Sequence, residues 1–383
     1  MGIISPGHRS MYHQFLGSKD LGGGELVGIN LCSFLLSLQL ETKLWTPSPQ
    51  FTTPPGLSLR PDVVLRYDAC NATRSGIIRP LASNIRLSRQ LRGYGAGLVH
   101  FHSHHLYGAI SMAARLSGLR TVVHVHIEEQ PELFRWIFKR PPDLIIPCSR
   151  HLGSIVRSAL SNRILSRTKI TAVPNAVDLN IFYPDDKARC KAVLGINPQE
   201  PMLLMLANLS KHKGQETVIR AVSDLRSRGV TIRAYLAGSE RNGGEAYTTY
   251  LKSLIAELDM TQHVFLVGFR RDAPQLIRAA DFMLLPSTHE GLPLSLLEAQ
   301  ASNTIVLAAP TAGIPEIVSD GSTGFLIDAH DHRGYADRIQ SLLSNSELSR
   351  SILAAALAQA RSNHNWSDYC RTILDLYQET CSS

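Results

Sequence analysis

Short apolar runs alternate with longer amphipathic stretches along the first half of the chain. The apolar runs, which predict strands, are Met1–Ser5, Leu98–Phe101, Thr121–His126, Asp143–Cys148 and Lys169–Val173. The stretches with apolar residues at helical spacing include Leu26–Leu40, Leu106–Leu116 and His151–Leu160. This βαβ alternation predicts a parallel sheet with helices on both faces.

The second half repeats the same plan. Its predicted strands are Met202–Ala207, Thr231–Ala237, His263–Val267, Asp281–Pro286, Thr304–Ala308 and Phe325–Ile327. Its predicted helices are Gln215–Arg228, Tyr247–Leu258, Ala273–Ala279, Leu294–Ala301, Ala336–Leu343 and a last one from Trp366 to about Thr380. The pattern therefore predicts an α/β protein with two doubly wound, Rossmann-like domains that face each other across a cleft.

A segment rich in Pro, Asn and Asp lies near the middle, from Val173 to Asp186, and predicts the domain boundary. We expect a first domain over residues 1–175, a second over 176–364, and a C-terminal helix over 365–383 that crosses back to the first. The 383 residues suit two domains of this size.

Composition narrows the class of protein. Apolar residues make up 44% and charged residues 19%, which is typical of globular chains, and no apolar run is long enough to span a bilayer. The N-terminus lacks the pattern of a secretory signal, and the six cysteines are scattered, so we expect a cytoplasmic protein with reduced thiols.

The net charge of +7 is unevenly distributed. Residues 1–175 hold 20 Lys and Arg against 9 Asp and Glu, whereas 176–383 hold 19 against 23, so the halves carry +11 and −4. The basic half predicts an anionic partner, for which nucleic acid, anionic lipid headgroups and a phosphorylated acceptor are all suitable.

The segment from Asp281 to Ser302 carries the clearest chemistry. A strand, a short loop and a helix opening at Pro293 follow one another, which leaves the backbone N–H groups of Leu294 and Ser295 as donors at a positive helix end. Such a helix end is an anion site suited to a diphosphate.

Two glutamates flank this helix end. Glu298 lies one turn deeper on the face of Leu294 and Ser295, where its carboxylate could accept hydrogen bonds from a vicinal diol such as a ribose. Glu290 projects from the preceding loop and could hold sugar hydroxyls. Taken alone, both could equally be solvated surface carboxylates.

The order of several motifs resembles that of the family 4 glycosyltransferases, which have the GT-B fold. Residues 290–299, EGLPLSLLEA, are similar to the E-x7-E signature of this family. Other segments that match in order are Gly22-Gly23-Gly24-Glu25, the strand ending at His126, PNAVD at 174–178, NLSKHKG at 208–214, and GIPEI at 313–317 followed by Asp320-Gly321 and Gly324-Phe325-Leu326.

The resemblance implies retaining transfer of a hexose from a nucleoside diphosphate sugar, with UDP expected from the frequency of UDP in the family. It implies that the first domain binds the acceptor and the second the donor. The implied catalytic residues are His126 and Glu290. The implied donor-binding residues are Gly23, Gly24, Asn208, Lys213, Gly268, Phe269, Arg270, Gly291, Leu292, Leu294, Ser295 and Glu298. No cofactor and no metal ligand are expected, since the chain lacks a D-x-D motif.

Without the resemblance, each of these residues has an ordinary structural explanation. His126 would be a core histidine, the glycines a helix-start turn and Lys213 a solvated charge. Several positions also depart from the family pattern: Asn208 replaces an arginine, Ile305 a proline, and Asn303, Ala312 and Ala176 replace glycines. A non-catalytic partner subunit and a sugar-nucleotide epimerase of the same fold therefore stay open as alternatives.

The basic half carries two segments suited to an acceptor. Six arginines with a single acid among them lie within residues 66–92: Arg66, Arg74, Arg79, Arg86, Arg89 and Arg92. Aromatic and basic residues interleave over 133–140, LFRWIFKR. We expect a glycan, a lipid-linked or another cell-envelope acceptor, with the enzyme attached peripherally to the inner face of a membrane. The alternative is a solvated arginine face, and no nucleic-acid motif accompanies these segments.

Overall fold

The chain divides into two compact units in a computed structural model that describes residues 10–18, 22–47, 59, 62–67, 78–240 and 244–382. Within 78–240, side chains are described from residue 81 onward. Unit 1 comprises Met1–Pro174 with Tyr369–Ser383, and unit 2 comprises Asn175–Asp368. The predicted strand Met1–Ser5 lies outside the described residues, as do Arg74 and the side chain of Arg79.

Unit 1 is built on a parallel sheet whose described strands run in the order β3-β2-β1-β4-β5-β6-β7. The strands are β1 Met11–Phe15, β2 Thr42–Thr46, β3 Val64–Arg66, β4 Gly97–Phe101, β5 Arg120–Val125, β6 Leu144–Pro147 and β7 Lys169–Ile170. The helices are α1 Gly23–Ser37, α2 Ile78–Arg92, α3 His104–Leu116, α4 Pro131–Ile137, α5 Arg150–Ala159 and α6 Asn162–Leu165. The chain reverses its direction of winding between β1 and β4, which are paired neighbours.

Unit 2 has a second parallel sheet, in the order β10-β9-β8-β11-β12-β13. Its strands are β8 Met202–Leu206, β9 Arg233–Ala237, β10 Val264–Gly268, β11 Phe282–Leu285, β12 Ile305–Ala308 and β13 Phe325–Leu326. Its helices are α7 Lys187–Val193, α8 Gln215–Ser227, α9 Ala246–Glu257, α10 Ala273–Ala279, α11 Leu294–Ala301, α12 Ile314–Ile317, α13 His332–Ser344 and α14 Ser346–Asn363. Here the winding reverses between the paired strands β8 and β11.

The predicted fold class, an α/β protein with two doubly wound, Rossmann-like domains, is confirmed by these two sheets. Ligands of such sheets bind at the carboxyl ends of the strands, beside the point where the winding reverses. In unit 2 that point is the region after β8 and β11. This is the part of the sheet from which two loops leave: residues 208–214, which the family resemblance implies form a phosphate loop, and the loop before α11.

The strand β1 was not predicted, because its sequence MYHQF contains two polar residues that are fully buried. Both find partners inside the unit: Trp45 Nε1 donates to His13 Nδ1 at 3.0 Å, and Gln14 Nε2 donates to the Tyr377 hydroxyl at 3.2 Å. Buried polar groups are stable when they are hydrogen-bonded in this way, but such partners are not visible in a hydropathy pattern.

The last helix, α15 Trp366–Ser382, contributes to the core of unit 1. Its Tyr377 ring stacks on Tyr12 at 5.5 Å, and the Tyr377 hydroxyl lies 2.5 Å from His100 Nδ1. Among the described residues, no helix combines the length and the apolar character that crossing a bilayer requires.

Candidate active site

Two loops are joined where the winding of unit 2 reverses. The first runs from the end of β8 through a 3-10 turn at Lys211–Lys213, and the second runs from β11 to α11. The backbone N–H of Thr288 donates to the carbonyl of His212 at 2.8 Å, and the Ser287 hydroxyl donates to the same oxygen at 3.0 Å. The candidate phosphate loop is thus held directly against the loop that carries Glu290.

Gly214 makes this close approach possible. Its φ is +81°, in the left-handed region, and a Cβ placed on it would lie 2.2 Å from the carbonyl oxygen of Pro286. Any other residue would both strain the backbone and push the two loops apart. The glycine after Lys213 therefore serves the packing of one loop on another as well as access for a ligand.

Lys213 and Glu290, predicted as separate ligands of the donor, form an ion pair with 2.7 Å between Nζ and Oε1. The Glu290 side chain is buried, at 8% exposure, so it does not project from its loop as expected; Lys213 is 20% exposed. The contact with Lys213 explains this difference, because a carboxylate beside a cation can leave water at a lower cost. The pair places one positive and one negative group at the carboxyl end of the sheet.

Glu298 lies on α11 as predicted, one turn after half-buried Leu294 and Ser295. The helix begins at Leu294, with Pro293 in the capping position rather than as the first helical residue. Burial of the carboxyl raises the pKa of Glu298 to about 7, although the residue as a whole is half-buried, and no hydrogen-bond or ion-pair partner reaches its carboxylate within the part of the chain that the structure describes. A desolvated carboxylate without a partner is suited to accept hydrogen bonds from a ligand.

The loop between β11 and α11 is fixed from two sides. The Gly313 N–H donates to the carbonyl of Gly291 at 2.9 Å, and Asn175 Nδ2 donates to the carbonyl of Leu292 at 2.7 Å. Gly291 and Leu292 are both buried. These two hydrogen bonds therefore hold the loop in place within unit 2.

The remaining predicted residues lie along the same end of the sheet. The Gly238 N–H donates to the carbonyl of Gly268 at 2.8 Å, and a Cβ on Gly238 would be 1.9 Å from the carbonyl of Ala207, next to Asn208. The loops after β10, β9 and β8 are thus contiguous. Gly238 is not among the residues predicted for the site. The signal that could have indicated it is its position directly after a predicted strand.

Phe269 and Arg270 follow Gly268, and their side chains differ in their contacts with the rest of the protein. Phe269 is 58% exposed, so a ligand could reach its ring. Arg270 Nε donates to Asp272 Oδ1 at 2.7 Å, and this contact holds the pKa of Asp272 below its ordinary value. The guanidinium therefore shares an ion pair with a neighbouring carboxylate.

In unit 1 the structure brings Gly24 and His126 together. Gly23 and Gly24 form the first turn of α1, where the N–H groups have no partner within the helix. A Cβ on Gly24 would lie 2.8 Å from His126 Cδ2, so the glycine allows the helix end to rest on the imidazole. Glu25 closes the turn, since its Oε2 accepts from the Gly22 N–H at 3.2 Å.

The imidazole of His126 is neutral and incompletely paired. Burial, followed by the charge of His104, lowers the pKa of His126 to about 3. Its Nε2 is shielded from solvent and has no hydrogen-bond partner among the described residues. The ring can therefore exchange a hydrogen bond with a hydroxyl group but carries no charge at neutral pH.

Comparison with known families agrees with this geometry. The family description "Glycosyl transferases group 1" matches residues 186–359, and "Glycosyltransferase Family 4" matches residues 21–181. The D-inositol 3-phosphate glycosyltransferase of Nocardia farcinica is 27% identical over 94% of this chain and 85% of its own. The enzyme of that name from Streptomyces scabiei is 28% identical over 97% and 89%.

Solved structures show the same fold. HepE from Anabaena, in complex with UDP and glucose, has a TM-score of 0.80 at 19% identity and covers 97% of this chain and 100% of its own. Sucrose-phosphate synthase from Thermosynechococcus elongatus also has a TM-score of 0.80 at 19% identity, over 97% and 99%. With both halves of the sequence matched by the family descriptions, the chain belongs to the family 4 glycosyltransferases and has the GT-B fold.

Proposed function

We propose that this glycosyltransferase moves a hexose, with retention of configuration, from a UDP-sugar to a hydroxyl group of a cell-envelope acceptor. The observation that carries the proposal is the meeting of Lys213, Glu290 and the Glu298-bearing helix start where the winding of unit 2 reverses. The HepE structures, described as complexes with UDP, glucose and UDP-glucose, support the choice of donor.

The donor diphosphate would be held by groups that carry positive charge. The Lys213 ammonium has three N–H donors and gives one to Glu290, so two stay for phosphate oxygens. The N–H groups at the start of α11, on Leu294 and Ser295, add the positive end of a helix. Such donors stabilise the negative charge that grows on the leaving diphosphate.

The two carboxylates would hold the sugars of the donor. Glu298 would accept hydrogen bonds from the ribose hydroxyls, for which its carboxylate has no competing partner among the described residues. Glu290 would orient the hexose while keeping its contact with Lys213. His126 would hydrogen-bond a hexose hydroxyl through Nε2, as a neutral imidazole, and not act as an acid.

The reaction breaks the bond between the anomeric carbon and the diphosphate oxygen and forms a bond from that carbon to the acceptor oxygen. The acceptor proton passes to the departing diphosphate if the acceptor enters on the same face, or to a base if a carboxylate first forms a covalent intermediate. We propose that no metal ion takes part in this transfer, so chelation should leave turnover unchanged.

Calorimetry with UDP, GDP and ADP, followed by hydrolysis assays with nucleotide sugars, tests the donor. Lys213→Ala and Glu298→Ala should weaken UDP binding, whereas Glu290→Ala and His126→Ala should reduce turnover with a smaller effect on binding. Preference for GDP or ADP would overturn the choice of UDP. Acceptor panels should include inositol phosphate, because the curated relatives are named for it.

A second reading, a non-catalytic partner subunit, is favoured by one observation. Asn208 lacks the charge of the arginine in the family pattern, and Arg270 is engaged by Asp272. If this reading holds, the chain binds none of the three nucleotides. An epimerase would instead convert a nucleotide sugar to its epimer without an acceptor, which product analysis distinguishes.

Peripheral attachment to an anionic membrane is part of the proposal for the acceptor side. On α4 and the residues after it, Trp136 is 65% exposed and Arg135, Lys139 and Arg140 are exposed around it. On α2, Arg86, Arg89 and Arg92 share an exposed face, while Leu91 between them in the sequence is buried. An exposed tryptophan among bases suits the interface of anionic lipids.

Flotation with vesicles containing anionic lipid tests this attachment. The wild type should bind at low salt and dissociate as salt is raised, and Trp136→Ser should bind less. Leu343→Ser, which removes an exposed apolar side chain of unit 2, is the matched control and should change nothing. Absence of salt-sensitive binding by the wild type would contradict membrane attachment and favour the alternative, in which the arginine face is simply exposed to solvent.

A further inference from the structure

Two neighbouring histidines and a glutamate converge on the surface of unit 1. His104 and His105 are the first two residues of α3, and Glu129 lies between β5 and α4. Glu129 Oε1 is 2.9 Å from His105 Nε2 and 3.7 Å from His104 Nε2. One ligand atom from each of the three residues lies within 4.8 Å of the other two.

The three side chains differ in their exposure to solvent. His104 is 2% exposed, and its ring packs against buried Phe134 with 5.5 Å between centroids. Its Nε2 faces the Glu129 carboxylate but lacks a hydrogen-bond partner in the described part of the chain. His105 and Glu129 have side-chain exposures of 55% and 25%, so solvent and ions reach the group from outside.

We propose that His104, His105 and Glu129 bind a divalent transition-metal ion, of which Zn²⁺ is the member best suited to them. Two imidazole nitrogens and one carboxylate oxygen form a ligand set that zinc uses, with water in the remaining position. Bonds of about 2.0–2.1 Å in a tetrahedral site place ligand atoms about 3.4 Å apart, and the observed 2.9 and 3.7 Å bracket that value. Mg²⁺ and Ca²⁺, which prefer oxygen ligands, should not bind.

A second histidine group, His100, His102 and His124, meets the same distance limit but suits an ion less well. All three side chains are buried, and none supplies a negative charge to offset a buried dication, which would make binding costly. The rings of His100 and His124 stack with only 12° between their planes. Their nitrogen lone pairs therefore run side by side and do not converge on one point.

The test measures metal binding directly in the full-length protein after chelation and dialysis. Isothermal calorimetry with Zn²⁺ should show one saturable site per chain, and Co²⁺ should give the visible spectrum of a nitrogen- and oxygen-ligated ion. Glu129→Gln and His105→Ala should each weaken Zn²⁺ binding at least about tenfold. His151→Ala is the matched control, since it removes an exposed histidine of unit 1 that faces Glu128, and it should leave the affinity unchanged.

Absence of saturable Zn²⁺ binding by the folded wild type would overturn the proposal. Equal loss of affinity in His151→Ala and His105→Ala would overturn it too, because it would show adventitious binding by exposed imidazoles. Circular dichroism of each variant separates loss of a ligand from loss of folding. Because the measurement does not use sugar transfer, its outcome is independent of whether the proposed reaction is correct.

Discussion

At the scale of single residues, the family glycines replaced at 303 and 312 have a conformational meaning. Asn303 has φ +60° and Ala312 has φ +50°, so both occupy the left-handed region that glycine would adopt freely. Asparagine tolerates this region better than most residues, whereas alanine is strained there by about 1–2 kcal/mol. The backbone at both positions therefore has a conformation that a glycine would adopt without strain.

Ala312→Gly should consequently stabilise the protein. Relief of the strain exceeds the added entropy of an unfolded glycine, so the free energy of unfolding should rise by up to about 1 kcal/mol. Ala354→Gly, at an exposed position inside α14, is the matched control and should lower it by about 0.5–1 kcal/mol. Urea titrations measure both changes, and a decrease for Ala312→Gly would contradict the explanation.

The affinity for UDP should depend on the ionisation of Glu298. Because burial raises the pKa of Glu298 to about 7, about a tenth of the carboxyl is ionised at pH 6 and about nine tenths at pH 8. Only the carboxylate can accept hydrogen bonds from both ribose hydroxyls, so affinity should rise by up to about tenfold over this range. In Glu298→Gln the increase in UDP affinity that is due to this carboxyl group should be absent. Any change due to ionisation of the nucleotide itself should remain. Identical pH profiles by calorimetry would exclude the ribose role.

The sequence identified chemistry-bearing residues better than it identified their partners. Glu298 and the glycine after Lys213 could be chosen from motif spacing, because the chemistry requires those residue types at those positions. The pairing of Lys213 with Glu290 could not, because it depends on two loops that are 77 residues apart in the chain. The contact of Arg270 with Asp272 could not be predicted either, because motif spacing indicates residue types and not side-chain partners.

At the scale of elements, Gly214 joins the two loops of the candidate donor site. Gly214→Ala adds a left-handed strain and a clash with the Pro286 carbonyl, so we expect the loops to separate and UDP binding to fall at least about tenfold. Gly229→Ala is the matched control, because Gly229 has φ +77° and open space around it. Both variants should lose about 1 kcal/mol of stability from the strain. Only Gly214→Ala should lose nucleotide affinity, and equal affinities would contradict the role of the loop contact.

In unit 1, Gly24→Ala should displace His126 from its position under α1. The added Cβ would lie 2.8 Å from the imidazole, so the ring must move and turnover should fall about tenfold or more, with the fold kept. Gly108→Ala inside α3 is the control, since its Cβ would make only ordinary contacts, the nearest at 3.5 Å from Ile137. Steady-state assays with a donor and acceptor measure the effect. Unchanged turnover in Gly24→Ala would contradict a role for His126 in the reaction.

Hydrophobic periodicity predicts helices and strands well where one face of the helix or strand is apolar, and less well elsewhere. The bounds of α10 and α11 agree with those predicted, because apolar residues recur there at helical spacing. The helix α14 was missed, since its alanines make its faces hard to distinguish. The strands β2 and β3 were missed because they are short and β3 is only partly buried, so little apolar patterning marks them.

At the scale of the whole molecule, most of the buried histidines among the described residues lie in unit 1. Unit 1 encloses His13, His100 and His124 completely, and the nitrogens of His124 have no partner among the described residues. Burial, followed by the charge of Lys43, lowers the pKa of His13 to about 4. Burial, followed by neighbouring histidines, lowers the pKa values of His100 and His124 well below the ordinary value. The sequence shows many histidines here but cannot show that their nitrogens are withheld from water.

Acid should therefore unfold unit 1 before unit 2. The unfolded chain takes up protons on these histidines near pH 6.5 and the folded unit does not, so stability is fully present above pH 6.5 and is lost as the pH falls below it. At pH 5 a histidine that stays neutral in the folded unit lowers the free energy of unfolding by up to about 2 kcal/mol, so several of them together remove a large part of the stability of a domain. Hydrogen exchange of the full chain should show peptides of unit 1 losing protection near pH 5 while those of unit 2 keep it.

His124→Phe replaces an unpaired buried imidazole with an apolar ring, so it should shift this loss of protection to lower pH. Simultaneous loss of protection in both units would contradict the prediction.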